Sequence, residues 1–274
     1  MVSFPNAKIN IGLNIINKRE DGFHNLETIF YPICIKDAVE IIENEESSSD
    51  VIFSSTGNSI NVPDDDNLCV KAVQLIKKDF EIPPVKIHLH KNIPMGAGMG
   101  GGSADASAIL LLLNKKFQLN ISTEKLIEYS LLLGSDCPFF IINKTCFATG
   151  RGEVLQEINI DLSAYKIMIV YPGIHVNTIE AFAQLNPANF SRAGELAEQI
   201  KMDIKFWKQT IKNDFEDSVF KKYTTIKEIK EKLYNEGAIY SAMSGSGSTV
   251  FGIFPLDLDT KNIKFPSHYF CQMV

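Results

Sequence analysis

Five glycines fall within seven residues at Gly96, Gly98, Gly100, Gly101 and Gly102, inside the stretch Pro94 to Ala108, and this cluster limits the fold more than any other part of the chain. Before it, Val85, Ile87 and Leu89 alternate with Lys86, His88 and His90, the period of a half-buried strand. After it, Ser103, Asp105 and Ser107 lead into the apolar run Ile109 to Leu113, which predicts a helix with cap-forming residues at its start. A loop between a strand and a helix N-terminus gathers unpaired N–H groups and the positive end of a helix dipole. Glycine lets a bulky anion approach that backbone, so the expected guest is phosphate.

Two familiar phosphate loops fit only in part. Gly96-x-Gly98-x-x-Gly101 satisfies the dinucleotide fingerprint, but that fingerprint needs a following strand that ends in an acid, and Ser122 to Leu133 reads as a helix. A Walker A loop needs Lys and then Ser or Thr after its last glycine, whereas Gly101 is followed by Gly102 and Ser103. A nucleoside triphosphate here would be held mainly by backbone. The charge chemistry must come from elsewhere in the chain. A flexible linker is disfavoured because the glycines lie between two periodic segments.

The 274 residues suffice for one large domain or two ordinary ones, and 45% hydrophobic with 22% charged residues is a globular composition. A net charge of -6 gives no electrostatic case for nucleic acid or an anionic membrane. Cys34, Cys69, Cys137, Cys146 and Cys271 are widely spaced with no C-x-x-C pair, which favours reduced thiols in the cytoplasm over a disulfide framework or a zinc site. The N-terminus carries no signal-like pattern, and no apolar run is long enough to span a bilayer.

In chain order, Ile9, Ile11, Leu13 and Ile15 alternate with Lys8, Asn10, Gly12 and Asn14, so one strand face carries a cation and two amides. That face is either solvated or part of a site. Residues 7 to 36 read as a hairpin turning at Lys18 to Gly22, with Phe23 and His24 just beyond. Such a pair can stack on a base and bond its edge, although a satisfied hairpin end is the commoner explanation. Strands at Ala38 to Glu43 and Val51 to Ser54 flank a solvated hairpin loop at Asn44 to Asp50. Asp64, Asp65 and Asp66 lack the alternating calcium-loop spacing, so helix capping is the stronger reading, with Asn67 at a ligand as the other. Asp136, before Cys137-Pro138, either caps a helix or catalyses. A turn at Gly150 to Gly152 closes a further hairpin, and Asn159 to Ala164 marks a boundary between domains 1–158 and 159–274. Beyond it come a buried strand at Lys166 to Tyr171, helices near Thr178 to Leu185, Arg192 to Met202, Lys205 to Ile211 and Thr225 to Glu236, and a second small-residue loop, Ser244 to Ser248. That loop reads equally as a plain turn or as a close-approach turn beside a ligand.

Three blocks, PNAKINIGLNI, PMGAGMGGGSADAS and SGSGSTVF, resemble in their order and spacing the GHMP kinase superfamily. The continuation KREDGFHNLETIF, together with GSDCPFF, is similar to the branch that phosphorylates, with ATP, the 2-hydroxyl of a cytidine diphosphate-linked methylerythritol on the non-mevalonate route to isoprenoids. The resemblance implies an α+β fold of two domains, the second ferredoxin-like, with both ligands in the cleft between them. It matches Lys8 and Asp136 to the catalytic pair, with Asp136 as general base and Lys8 as the fixed charge that the loop lacks. It assigns ATP to Asn67, Pro94, Met95, Gly96, Ala97, Gly98, Met99, Gly100, Gly101, Gly102, Ser103 and Ala104, and sets Ser103 against a phosphate or Mg2+. Phe23 and His24 match cytosine-binding positions, Phe182 would face Phe23 to close an aromatic sandwich, and Asn10 and Thr178 match further substrate contacts. The family usually carries tyrosine at the position of Phe23, a change that keeps stacking and loses a phenol hydrogen bond. No nucleic acid, membrane or protein partner is implied. A homoserine or mevalonate kinase, a Rossmann oxidoreductase and a non-catalytic nucleotide-binding module are the competing readings. The DGFH step, the missing acidic strand end and the presence of both Lys8 and Asp136 weigh against them in turn.

Overall fold

The computed structural model describes residues 1–44, 50–60 and 62–274. The chain forms two compact units, one of residues 1–8, 32–95 and 100–144, the other of residues 9–31, 96–99 and 145–274. The order begins β1 (Val2–Ser3), β2 (Asn6–Lys18), β3 (His24–Lys36), β4 (Ala38–Glu43), β5 (Val51–Gly57), α1 (Leu68–Lys77), β6 (Val85–Lys91), α2 (Gly101–Lys116), α3 (Thr123–Leu133) and α4 (Cys137–Ile142).

In the first unit a four-stranded sheet runs β1-β4-β6-β5. Strand β6 is antiparallel to β4, with Ile41 opposite Ile87, and parallel to β5, with Phe53 opposite Ile87. The expected hairpin between residues 38–43 and 51–54 is therefore not formed, since β6 lies between its two arms. Its alternating Val85, Ile87 and Leu89 are buried beside Val39 and Ile41 and against Val73 and Ile76 of α1 and Ile109 and Leu113 of α2, the place of a central strand. The solvated loop expected at Asn44 to Asp50 falls mostly on residues 45–49, outside the described residues. Helix starts follow the local signals. Asn67 accepts a 2.9 Å bond from the Cys69 N–H, as the capping reading expects, and Ser122 caps α3, which stops at Gly134.

The order continues with β7 (Cys146–Thr149), β8 (Val154–Glu157), β9 (Tyr165–Tyr171), α5 (Thr178–Ala183), α6 (Glu195–Gln199), α7 (Trp207–Thr210), α8 (Glu216–Lys222), α9 (Thr224–Asn235), β10 (Tyr240–Met243), β11 (Val250–Pro255) and β12 (Phe270–Met273). The early hairpin forms as expected and extends into a sheet of order β2-β3-β7-β8. A second antiparallel sheet runs β12-β9-β11-β10. Numbered within that sheet, the strands stand in the order fourth, first, third, second, the ferredoxin-like arrangement, with helices carrying the first crossover and no helix among the described residues of the second. Ile226, Ile229 and Leu233 of α9 pack with Met168, Val170, Val250 and Phe254 of that sheet. Helix α8 and strand β12 have no counterpart in the sequence reading, because seven and four residues are too few for periodicity to declare.

Candidate active site

Lys8 and Asp136 meet in the first unit. The lysine lies on β2 with 3% of its surface exposed, and its Nζ stands 3.3 Å from Asp136 Oδ2. Asp136 occupies the N-cap position of α4, yet its carboxylate makes no capping hydrogen bond and keeps 34% of its side chain exposed. Of the two readings left open for this residue, the capping bond is not made, and the carboxylate stands beside Lys8 instead. The end of the glycine loop presses on the same lysine. A Cβ on Gly100, whose φ is +70°, would lie 3.1 Å from Lys8 Cε and 2.9 Å from the Phe140 ring, so glycine is required there twice over.

Gly100 precedes α2 and offers no side-chain cap, which leaves first-turn N–H groups without side-chain partners at the helix start. Ser103 sits in that turn. The Ser107 hydroxyl lies 2.8 Å from the Ser103 carbonyl and 2.9 Å from that of Cys137, tying α2 to the residue after Asp136. Burial pushes the Cys137 thiol up to about 11, so it stays protonated at neutral pH. Asn67, by contrast, turns its amide to its own helix.

A second buried lysine lies beneath the loop, and the sequence reading passed over it. Lys91 donates to Asp37 and, at 2.7 Å, to Asp105 of α2. Asp37 Oδ1 also accepts the N–H groups of Asn92 at 2.6 Å and Ile93 at 2.8 Å. Asp105 Oδ1 has no hydrogen-bond partner among the described residues. Burial is the largest cause pushing the Asp105 carboxyl up to about 8, with Lys91 opposing it and Asp37 adding to it. The available signal was a lysine in register with Val85, Ile87 and Leu89 on the strand's buried face; Asp105 reads as a helix cap in the sequence and does not cap in the fold.

The second unit holds the remaining site residues. The Asn10 side chain donates to Thr28 Oγ1 at 2.9 Å, and its backbone N–H donates to Ser244 Oγ at 3.1 Å. Ser244 in turn donates to the Gly98 carbonyl at 2.8 Å, and the Thr249 N–H donates to that of Ala97 at 3.1 Å. A Cβ on Gly98 would fall 2.3 Å from the Ser244 carbonyl oxygen, so the second small-residue loop is both a hairpin turn between β10 and β11 and a close-approach turn. Thr178 and Ser246 join through their hydroxyls at 2.9 Å.

The aromatic residues named for the base have partners of their own in this structure. Phe182 stacks on His24, with centroids 4.9 Å apart and planes 19° off parallel, and meets Phe215 edge-on. Phe23 is 53% exposed and lies under the Arg151 guanidinium, 4.9 Å from its centroid, a partner that the sequence reading did not single out. Burial holds the His24 imidazole below its usual range, with Lys18 adding to the effect, so a neutral ring stacks there at neutral pH.

Among the described residues no cluster of three or more His, Cys, Asp or Glu could hold a metal, and no helix is long and apolar enough to cross a membrane. No disulfide joins the five cysteines.

Residues 67–144 match the family described as the GHMP kinases N terminal domain, and residues 179–264 match the GHMP kinases C terminal family. A 4-diphosphocytidyl-2-C-methyl-D-erythritol kinase from Bacteroides fragilis is 50% identical over 254 residues, 93% of this chain and 92% of the relative. The crystal structure of a 4-(cytidine 5'-diphospho)-2C-methyl-D-erythritol kinase superposes with a TM-score of 0.79 at 29% identity, covering 92% of this chain and 90% of that one. A homoserine kinase from Cytophaga hutchinsonii superposes with a TM-score of 0.67 at 14% identity over 93% of this chain and 84% of that one, a likeness of fold alone.

Proposed function

The chain belongs to the GHMP kinase superfamily and, within it, to the 4-diphosphocytidyl-2-C-methyl-D-erythritol kinases, a premise from which we infer how its residues share the work of phosphoryl transfer. It is an ATP-dependent small-molecule kinase whose acceptor is the 2-hydroxyl of 4-diphosphocytidyl-2-C-methyl-D-erythritol, in isoprenoid precursor biosynthesis. The matched segments support a domain division of 1–158 and 159–274. The cysteines without disulfides support a reducing compartment, the cytoplasm.

An alcohol is a poor nucleophile near neutral pH, so a base must take its proton as attack begins. Asp136 is that base: its carboxylate is accessible and is not spent on capping. The acceptor oxygen forms a bond to the γ-phosphorus, the bond from that phosphorus to the β,γ-bridging oxygen breaks, ADP leaves, and the proton passes to Asp136. Lys8, held 3.3 Å from Asp136, places a positive charge where negative charge builds on the transferring group. The glycine loop and the first turn of α2 supply backbone N–H groups to the phosphates.

Mg2+ suits this donor set, because it commonly takes one or two protein oxygens and completes its shell with water and phosphate. The Ser103 hydroxyl in the first turn of α2 is the protein oxygen that would hold it. When bound, the ion offsets charge on the phosphates.

For the nucleobase, cytosine takes the face of Phe182 that His24 covers in this structure, and the imidazole turns to the base edge. Phe23 is the second stacking platform, with Arg151 on its ring. Asn10 and Thr178 position the remainder of the substrate.

The accessible, uncapped carboxylate beside a buried ammonium carries this reading. Its test is ATP turnover with the cytidine diphosphate substrate, homoserine and mevalonate in parallel. Activity with the first acceptor at least a hundredfold above the others is expected, and equal activity with homoserine would overturn it.

A further inference from the structure

The glycine loop leaves the sheet at one point and enters α2 at another, and a single ammonium touches both. On the entry side, Lys91 closes β6 and binds Asp37, whose other oxygen takes the N–H groups of Asn92 and Ile93, the two residues leading to Pro94. On the exit side, the same Nζ binds Asp105 in the second turn of α2. It also fills the space beside Gly101, where a Cβ would stand 2.8 Å from Nζ and 2.9 Å from the Ile93 side chain. All three charged side chains are sealed, at 0%, 0% and 2% exposure for Lys91, Asp37 and Asp105. Withdrawing an ammonium and its carboxyl partners from water costs much of what their attraction returns, so such a group is a weak source of net stability. What it supplies is direction: an ammonium shared by two carboxyl groups fixes the distances between β6, the junction of β3 and β4 that bears Asp37, and α2.

We propose that Lys91 is a positioning residue for phosphoryl transfer, pinning the start of the glycine loop through Asp37 and its end through Gly101 and Asp105, and so setting the spacing of the N–H groups that grip the ATP phosphates. The proposal rests on the reading of this loop as the ATP site. Lys91 does not touch the nucleotide; it acts through backbone that does.

Two variants separate positioning from a field effect. At pH 9, where the Asp105 carboxyl is ionised, Lys91→Met removes a positive charge near the phosphates, and Asp105→Asn removes a negative one while keeping the side-chain shape. If the group acts only by its electric field, the two change ATP affinity in opposite directions. Positioning requires both to weaken it. Titration of the full chain with a non-hydrolysable ATP analogue should give a Kd raised at least tenfold in Lys91→Met and at least threefold in Asp105→Asn, with acceptor Kd within twofold of the parent. A tighter Kd in Asp105→Asn, or an unchanged Kd in a folded Lys91→Met, overturns the proposal. Should Lys91→Met fail to fold, the sign of the Asp105→Asn change alone decides. Amide hydrogen exchange over residues 92–104 separates this idea from the ATP reading itself. Faster exchange in Asp105→Asn with no analogue binding even by the parent would keep the pinning role and sink the ATP assignment, whereas unchanged exchange sinks the pinning role.

Discussion

Lys8 and Lys91 belong to the same compact unit and are almost equally buried, at 3% and 1% exposure, yet their carboxylates differ. The partner of Lys8 has a third of its surface open, while both partners of Lys91 are sealed. A carboxylate that solvent reaches can also be reached by an acceptor hydroxyl, so the first pair can exchange a proton with a substrate. The second group can only hold its neighbours in place. Burial of the lysine therefore does not tell a reactive pair from an architectural one; exposure of the acid does.

That contrast can be broken most sharply at Asp136. Asp136→Asn should lower kcat by about a hundredfold to ten-thousandfold with little change in KM for ATP, read from steady-state ADP release. Full turnover would move Asp136 to the architectural class. Next in size, Lys91→Met should lose about 3–5 kcal/mol of unfolding free energy by urea titration, because it leaves the sealed Asp37 carboxylate without its ammonium. The corresponding change at Lys8 should cost less, since Asp136 can still be hydrated, and equal losses would erase the distinction.

In the second unit, Phe182→Ala should raise KM for the acceptor roughly tenfold, the scale of one lost base stack, and leave KM for ATP within twofold. An equal rise for both substrates would mean that Phe182 supports the fold rather than the base. The remaining test is a pH slope. Burial pushes the folded Asp105 carboxyl up to about 8 from the usual value of about 4, so between about pH 4 and 8 the folded state holds a proton that the unfolded state lacks. Stability from this group therefore falls as pH rises through that window. Lys91 titrates above its usual value, so its own contribution is lost only in the alkaline range beyond. Asp105→Asn should flatten the decline in the urea midpoint from pH 5 to 8, and a slope identical to the parent's would show that the carboxyl is ionised throughout.

Much of the fold was legible because its signals are local. The strand and helix around the glycine loop, the Asn67 and Ser122 caps, the early hairpin and the α9 periodicity each depend on residues within a few positions of one another. The partner of β5 was not legible: either β4 or β6 satisfies its pattern, and β6 won by burying Val85, Ile87 and Leu89 between two neighbours. The side chain of Asp136 was ambiguous for the same kind of reason. Its position before Cys137-Pro138 is a cap site whatever the carboxylate does, and only a lysine 128 residues away directs it elsewhere.

Residue order alone carries the alternation, the capping residues, the glycines and the absence of a lysine in the loop, which together point to a phosphate cradle with its charge supplied from outside. Only folding settled which lysine stands beside which acid, that Lys91 joins Asp37 to Asp105, and that Phe182 rests on His24. The physical reason is range. Helix and strand propensity and capping act over a few residues, whereas ion pairing and ring stacking depend on distances that chain folding creates between segments far apart in sequence, and no periodicity records them.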